Sequence, residues 1–135
     1  MAFQGKWKHY KDEGFDAFLD AIGTPEEAKK VALASHPVID FSRDGDYYVV
    51  RFTESGGTDR ESRFKEGEEF DHPASVADAS NTRRVVATQL SDSKFQIKTV
   101  SGSPDCVETR DVIDGELVTT LEHGSVTCKR YFKKV

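Results

Sequence analysis

The C-terminal stretch 105–135 alternates apolar and polar side chains between two turn signals, and this pattern constrains the fold more than any other. Asp114-Gly115 is a favoured two-residue hairpin loop, and His123-Gly124 is a second candidate turn. Alternation with a period of two is typical of strands that bury one face. The stretch therefore predicts three antiparallel strands over residues 106–113, 116–122 and 125–134.

The two turns also set a predicted register for these strands. With two-residue loops, Arg110 lies opposite Thr119 in the first hairpin, and Thr119 lies opposite Cys128 in the second. Opposed residues share a face, as do residues two apart in one strand. The face so defined carries Arg110, Val112, Leu117, Thr119, Leu121, Val126, Cys128, Arg130 and Phe132. Because most of these residues are apolar, we expect this face to be buried.

Two arginines on this apolar face, Arg110 and Arg130, require an explanation. An unpaired buried charge costs several kcal/mol. One solution is an ion pair with Glu108, which precedes Arg110 by two residues on the same face. A second is a water-filled cavity lined by this face. The third is a ligand anion, since a guanidinium fork binds a carboxylate bidentately. The residues alone leave all three solutions open.

Length and charge limit the class of protein. A chain of 135 residues predicts one domain, spanning 1–135. The net charge of −5 argues against a nucleic-acid partner. No apolar run approaches the ~20 residues that span a membrane, and no signal-peptide pattern follows Met1. We therefore expect a cytoplasmic protein.

The cysteines and histidines do not form a recognisable reactive or metal-binding pattern. Cys106 and Cys128 lie two predicted strands apart, roughly 9–10 Å, which exceeds disulfide reach, so we expect both thiols to be reduced. The four histidines lack metal-ligand spacing, and we expect no metal ion and no cofactor. Cys128 is a candidate nucleophile of a lipid-modifying enzyme, but no histidine falls on the inward positions of these strands. A small buried hydrophobic role is the simpler interpretation for Cys128.

A pair of short helices is predicted at about residues 15–35. Thr24 and Glu27 have the spacing of a capping box for the second helix, with Pro25 at its first position, and Pro37 prevents continuation. In the first helix, one apolar face carries Phe15, Phe18, Leu19 and Ile22.

The rest of the chain alternates strands and turns. Further strands are predicted at 3–10, 38–43, 46–54, 58–65, 68–71, 83–90 and 93–100, while 72–81 lacks strand character. About ten short strands at even spacing are typical of an antiparallel sandwich or barrel. A barrel of this size leaves room for a ligand, and the helical pair is long enough only to cover an open end.

Several motifs resemble those of the cytosolic fatty-acid-binding proteins, within the intracellular lipid-binding protein family. The resemblance covers nearly the whole chain and rests on Phe3-x-Gly5-x-Trp7-Lys8, the stretches 14–19 and 64–71, and the hairpin stretches 110–117 and 121–124. It implies an all-β, ten-stranded antiparallel up-and-down β-barrel, or β-clam, with a helix-turn-helix lid. It also implies non-covalent binding and transport of a long-chain fatty acid or a similar hydrophobic carboxylate.

The resemblance further implies roles for individual residues. By position, Arg110 and Arg130 match the arginines that hold the ligand carboxylate in fatty-acid binders, whereas retinol carriers have amides there. The family tyrosine is replaced by Phe132, and the neighbouring Tyr131 would point inward only if a bulge turned it. We hypothesise that Thr119 takes part of the missing tyrosine's role. The expected contacts to the acyl chain are Phe15, Phe18, Leu117, Leu121, Val126, Cys128 and Phe132.

Two other departures concern the entrance to the cavity. Gly56-Gly57 occupies the turn that often carries a gating phenylalanine in the family, so entry should be less obstructed there. The segment 72–81 is longer than usual and would enlarge one lip of the entrance.

Partners and alternatives complete these expectations. We expect a monomer with at most weak, transient membrane contact, because Lys29 and Lys30 in the lid are outnumbered by Asp16, Asp20, Glu26 and Glu27. A carrier that delivers a retinoid or eicosanoid acid for signalling is an open alternative, since it needs the same two arginines. A lipid-modifying enzyme is the third.

Overall fold

The computed structural model describes residues 2–53, 59–75, 78–102 and 105–135. The first strand, β1 (Gly5–Glu13), is followed by helices α1 (Phe15–Ala21) and α2 (Glu26–Ala34). Nine further strands follow: β2 (Val38–Asp44), β3 (Tyr47–Thr53), β4 (Asp59–Lys65), β5 (Glu69–Ser75), β6 (Asp78–Ser91), β7 (Lys94–Ser101), β8 (Val107–Ile113), β9 (Glu116–His123) and β10 (Val126–Lys134).

All ten strands belong to one antiparallel sheet. Its order is β4-β3-β2-β1-β10-β9-β8-β7-β6-β5, so the first and last strands of the chain pair with each other. The sheet curls into a nearly closed barrel, with β4 and β5 at its two ends. The predicted ten-stranded up-and-down barrel with two helices is confirmed.

The predicted register is correct for the first of the last two hairpins and wrong for the second. Arg110 lies opposite Thr119, as expected. In the next hairpin Thr119 lies opposite Arg130, and Cys128 lies opposite Leu121, so the expected Thr119–Cys128 pair is wrong. The loop is Gly124-Ser125, because Gly124 adopts φ +60° and suits the first central position of a type II′ turn. The observed register of this hairpin differs from the predicted one by two residues. The same side chains therefore remain on the inner face.

The described parts of the segment 72–81, residues 72–75 and 78–81, belong to strands, which corrects the sequence prediction. Strand β5 continues to Ser75 and β6 begins at Asp78, and these two residues pair across the hairpin. The register shifts between Pro73 and Ser75, where proline cannot donate to the ladder. Pairing with a neighbouring strand outweighs the weak strand propensity of this composition. The Gly56-Gly57 turn lies outside the described residues.

Strand β1 is longer than predicted at its C-terminal end. The register against β10 shifts between His9 and Lys11, which marks a bulge, and pairing then continues to Glu13. The bulge brings Asp12 opposite Arg130. Without it, strict alternation from the buried Trp7 and His9 would place Asp12 on the outer face.

The two helices cover one end of the barrel. Phe15, Phe18 and Leu19 are buried on α1, as their spacing predicted. The Thr24–Glu27 capping box does not form, because Pro25 itself takes the N-cap position of α2 with ψ 149°. Within the described residues, no helix is long and apolar enough to cross a membrane.

Two hydrophobic clusters lie above and below the middle of the barrel. The cluster at the lid contains Phe15, Phe18, Leu19, Ala32, Cys106, Leu121 and Cys128. The larger cluster fills the opposite end and contains Phe3, Trp7, Ile39, Phe41, Tyr48, Val50, Phe64, Val85, Ala87, Phe95, Ile97, Leu117 and Phe132. The indole of Trp7 donates a hydrogen bond to the Phe3 carbonyl (2.8 Å) and anchors that closed end.

Candidate ligand-binding cavity

A cavity lies between the lid and the inner face of the barrel. Its wall is mostly apolar but includes a group of charged side chains. The lining residues are Phe18, Val31, Ala32, Ser35, Pro37, Ile39, Phe52, Arg60, Cys106, Glu108, Arg110, Thr119, Leu121, Arg130 and Phe132. The sequence-predicted residues Phe18, Thr119, Leu121, Phe132, Arg110 and Arg130 are thus brought together.

The other expected chain contacts lie just outside this wall. Phe15 and Cys128 are buried in the lid cluster, and Val126 is half-buried against it. Leu117 is fully buried in the cluster at the closed end. These residues support the cavity by packing behind it.

Arg110 and Arg130 flank Thr119 on neighbouring strands. Thr119 lies opposite both of them, and all three side chains are buried. Four of their polar atoms have no hydrogen-bond partner in the described part of the chain: Nε and Nη1 of Arg110, Nη2 of Arg130 and Oγ1 of Thr119. Buried donors in this state normally bind water or a ligand.

Arg130 is held by two contacts that the sequence prediction missed. Its Nε donates to Asp12 Oδ1 (2.9 Å), and its guanidinium lies 4.2 Å from the ring centroid of Phe15 in the lid. Asp12 also contacts His9 Nε2 at 2.7 Å. Burial alone would raise the pKa of Asp12, but the His9 hydrogen bond and the Arg130 charge outweigh it and lower this pKa.

Arg110 is held more loosely. Its Nη2 donates to Glu108 Oε2 over 3.4 Å, and its guanidinium lies near the rings of Phe41, Phe52 and Phe95 (5.4, 5.5 and 6.0 Å). Burial lowers the pKa of Arg110, and the Glu108 carboxylate acts in the opposite direction. A guanidinium nevertheless stays protonated in proteins.

Glu108 is paired mainly with Arg83, a residue that sequence reasoning missed. Arg83 Nη2 donates to Glu108 Oε1 (2.6 Å), and Nη1 donates to the Thr99 hydroxyl and to the Cys106 carbonyl (3.3 Å). Burial would raise the pKa of Glu108, but His72, Arg110 and Arg83 together lower it. The predicted Glu108–Arg110 pair exists, but it is the longer of the two arginine contacts.

These buried charges do not balance. The cluster contains three arginines, Arg83, Arg110 and Arg130, and two carboxylates, Glu108 and Asp12. Among the described residues it therefore has one excess positive charge, and Arg110 has two of its four arginine nitrogens without a hydrogen-bond partner. A single carboxylate placed beside Arg110 would neutralise the cluster.

Tyr131 is not part of the cavity, so its inclusion among the ligand-binding candidates is wrong. Strand β10 alternates regularly at this point, because the bulge lies in β1. The Tyr131 ring is on the outer face, where Lys11 Nζ lies 4.4 Å from its centroid and the Tyr10 ring lies 6.4 Å away. Phe132 is buried on the inner side.

The two cysteines are free and buried. Burial raises the pKa of Cys106 to about 11 and that of Cys128 to about 12. The thiolate is the nucleophilic form of cysteine, so both groups are poor nucleophiles at neutral pH.

An apolar cavity with unpaired guanidinium donors at one side is typical of a binding protein for small hydrophobic anions. The chain belongs to the lipocalin / cytosolic fatty-acid binding protein family, whose model matches residues 1–135.

Individual proteins are similar to this chain over nearly its whole length. The 14 kDa fatty acid-binding protein of Schistosoma mansoni is 32% identical over 134 residues, which cover 99% of this chain and 98% of that protein. Sodium/calcium exchanger regulatory protein 1 of Doryteuthis pealeii is 30% identical over 131 residues, which cover 97% of this chain and 95% of the relative. A solved structure of the Schistosoma mansoni fatty acid binding protein in complex with arachidonic acid superposes with a TM-score of 0.90 at 27% identity, covering 99% of this chain and 96% of that chain.

Proposed function

We propose that this protein binds a long-chain fatty acid in the cavity and carries it non-covalently through the cytoplasm as a monomer. The observation that supports this most directly is the set of unpartnered Arg110 and Arg130 donors on either side of Thr119, inside a mostly apolar wall. The relatives described as fatty acid-binding proteins, one of them in complex with arachidonic acid, support the same ligand class.

In this proposal the two parts of the ligand bind by different interactions. The carboxylate accepts hydrogen bonds from the free Arg110 and Arg130 donors. The acyl chain contacts the apolar wall, including Phe18, Leu121 and Phe132. Each buried methylene contributes about 0.8 kcal/mol, part of which is offset by the cost of ordering the chain. Ligand exchange requires the lid helices to move away from β9 and β10.

Comparison of a fatty acid with its methyl ester tests the proposed head-group site. The ester keeps the acyl chain but has no charge, so we expect hexadecanoate to bind at least tenfold more tightly than methyl hexadecanoate in displacement of a fluorescent fatty acid. Equal affinities would contradict a site built on the two arginines.

The Thr119 hydroxyl is proposed to assist the arginines, in place of the tyrosine hydroxyl that Phe132 lacks. Replacement Thr119→Val keeps the shape of the side chain and removes a buried hydrogen-bonding group. We expect a loss of about 0.5–1.5 kcal/mol in fatty-acid binding, roughly 2- to 12-fold in Kd by titration calorimetry. Thr120→Val on the outer face is the matched control, and unchanged affinity in Thr119→Val would refute the role of the hydroxyl.

We propose carriage rather than catalysis, since the raised thiol pKa values of Cys106 and Cys128 leave little thiolate for attack on a lipid ester. Membrane contact is proposed to be weak. Lys29 on α2 binds both Asp16 and Asp20 on α1, so its charge is largely offset within the lid.

A further inference from the structure

His72 is a buried polar side chain that the proposed carboxylate site does not use. Only 7% of the residue is exposed. Its Nε2 lies 3.4 Å from Glu108 Oε1, and its ring packs against Phe70 (centroids 6.0 Å apart). Its Nδ1 is buried and has no hydrogen-bond partner among the described residues. Such an atom is costly unless water or a ligand group binds it.

His72 lies beside a recess whose wall is mostly apolar. It lines this recess of the barrel interior together with Val50, Phe52, Ser62, Phe64, Phe95, Ile97 and Arg110. Arg110 and Phe52 also line the main cavity, so the recess adjoins the proposed carboxylate site. His72 also lines a larger recess, which shares Phe52 and Arg60 with the main cavity, so an acyl chain whose head lies at Arg110 can pass His72 there.

The contact with Glu108 decides which chemistry His72 offers. An ionised carboxylate only accepts hydrogen bonds, so the contact places a proton on Nε2. In the neutral imidazole, Nδ1 is then an acceptor, and in the imidazolium it is a donor. A hydroxyl group donates and accepts, so it satisfies Nδ1 in both states, whereas a methylene satisfies it in neither.

We propose that His72 binds a hydroxyl group on the acyl chain, and that the cavity therefore prefers a hydroxylated fatty acid over the unsubstituted one. This inference rests on the proposed fatty-acid site and names the ligand class within it. Arg83 supports the arrangement, because its 2.6 Å contact fixes the Glu108 carboxylate that orients the imidazole.

A positional series of hydroxyoctadecanoic acids tests the inference, with octadecanoic acid as the reference and Kd measured by displacement. A fatty acid whose hydroxyl reaches His72 should bind about 3- to 10-fold more tightly than the reference. A fatty acid whose hydroxyl is buried against the apolar part of the wall should bind more weakly than the reference, because that hydroxyl lacks a partner. We therefore expect one maximum at a single position or two adjacent positions.

The variants His72→Phe and His72→Leu should abolish this maximum while retaining the binding of octadecanoic acid. His123→Phe is the matched control, because His123 lies at the end of β9 and lines neither the main cavity nor the recess. Tighter binding at no position, or a maximum that survives in both His72 variants, would overturn the inference. Failure of octadecanoic acid itself to bind would instead overturn the proposed function.

Discussion

Replacement of Glu108 by glutamine is expected to lower the free energy of unfolding by about 3–5 kcal/mol, the usual cost of removing one partner from a buried ion pair. Glutamine has nearly the same shape but no charge. The change leaves Arg83 and Arg110 buried without the carboxylate that both now contact at 2.6 and 3.4 Å. Urea unfolding of the wild type and the variant measures the difference as a shift in midpoint at constant slope.

The control for this experiment is Glu61→Gln. Glu61 is exposed and contacts Arg51 at 3.4 Å across β3 and β4, so the same chemical change should have a far smaller effect. A Glu108→Gln variant as stable as the control would show that the buried arginines do not depend on this carboxylate.

Replacement of Arg110 by leucine is expected to weaken fatty-acid binding strongly without destabilising the protein. The loss of a buried charged partner of the ligand costs about 2–5 kcal/mol, roughly 30- to 4,000-fold in Kd. Stability should stay unchanged or rise, because Arg110 carries the excess charge of the cluster and Glu108 keeps its shorter contact with Arg83. Titration calorimetry and urea unfolding on the same samples measure both effects.

The two measurements distinguish a binding residue from a structural one. Arg51→Leu, on the exposed side of β3, should change neither quantity appreciably. The methyl ester of the fatty acid should bind wild type and Arg110→Leu with similar affinity, since it has no carboxylate to lose. A variant that loses stability together with affinity would assign Arg110 to the fold rather than to the ligand.

The inner face of the last three strands could be predicted from sequence for a simple reason. Side chains alternate with a period of two, and Asp114-Gly115 fixes the first hairpin, so Arg110 and Thr119 were paired correctly. The second hairpin was displaced by two residues because Gly124 takes the first loop position rather than the second. An even displacement keeps every side chain on its predicted face, and this kept Arg130 inside.

The counter-charges of the site could not be predicted in the same way. Asp12 reaches Arg130 only because a bulge in β1 reverses the alternation, and a bulge has no local sequence signal here. Arg83 did have a signal, since it shares a face with the buried Val85 and Ala87. The predicted strand 83–90 includes Arg83, but alternation within one strand does not show that Arg83 contacts Glu108 on another.

The pairing of β1 with β10 also determines when the carboxylate site can form. Asp12 and Arg130 are separated by 118 positions along the chain, yet they are hydrogen-bonded across the strand pair that joins the two halves of the sheet. Contacts between such distant residues have a high entropic cost of loop closure, and they form slowly. During synthesis, the ribosome must therefore add the 118 residues that follow Asp12, up to Arg130, before the protein can complete the site.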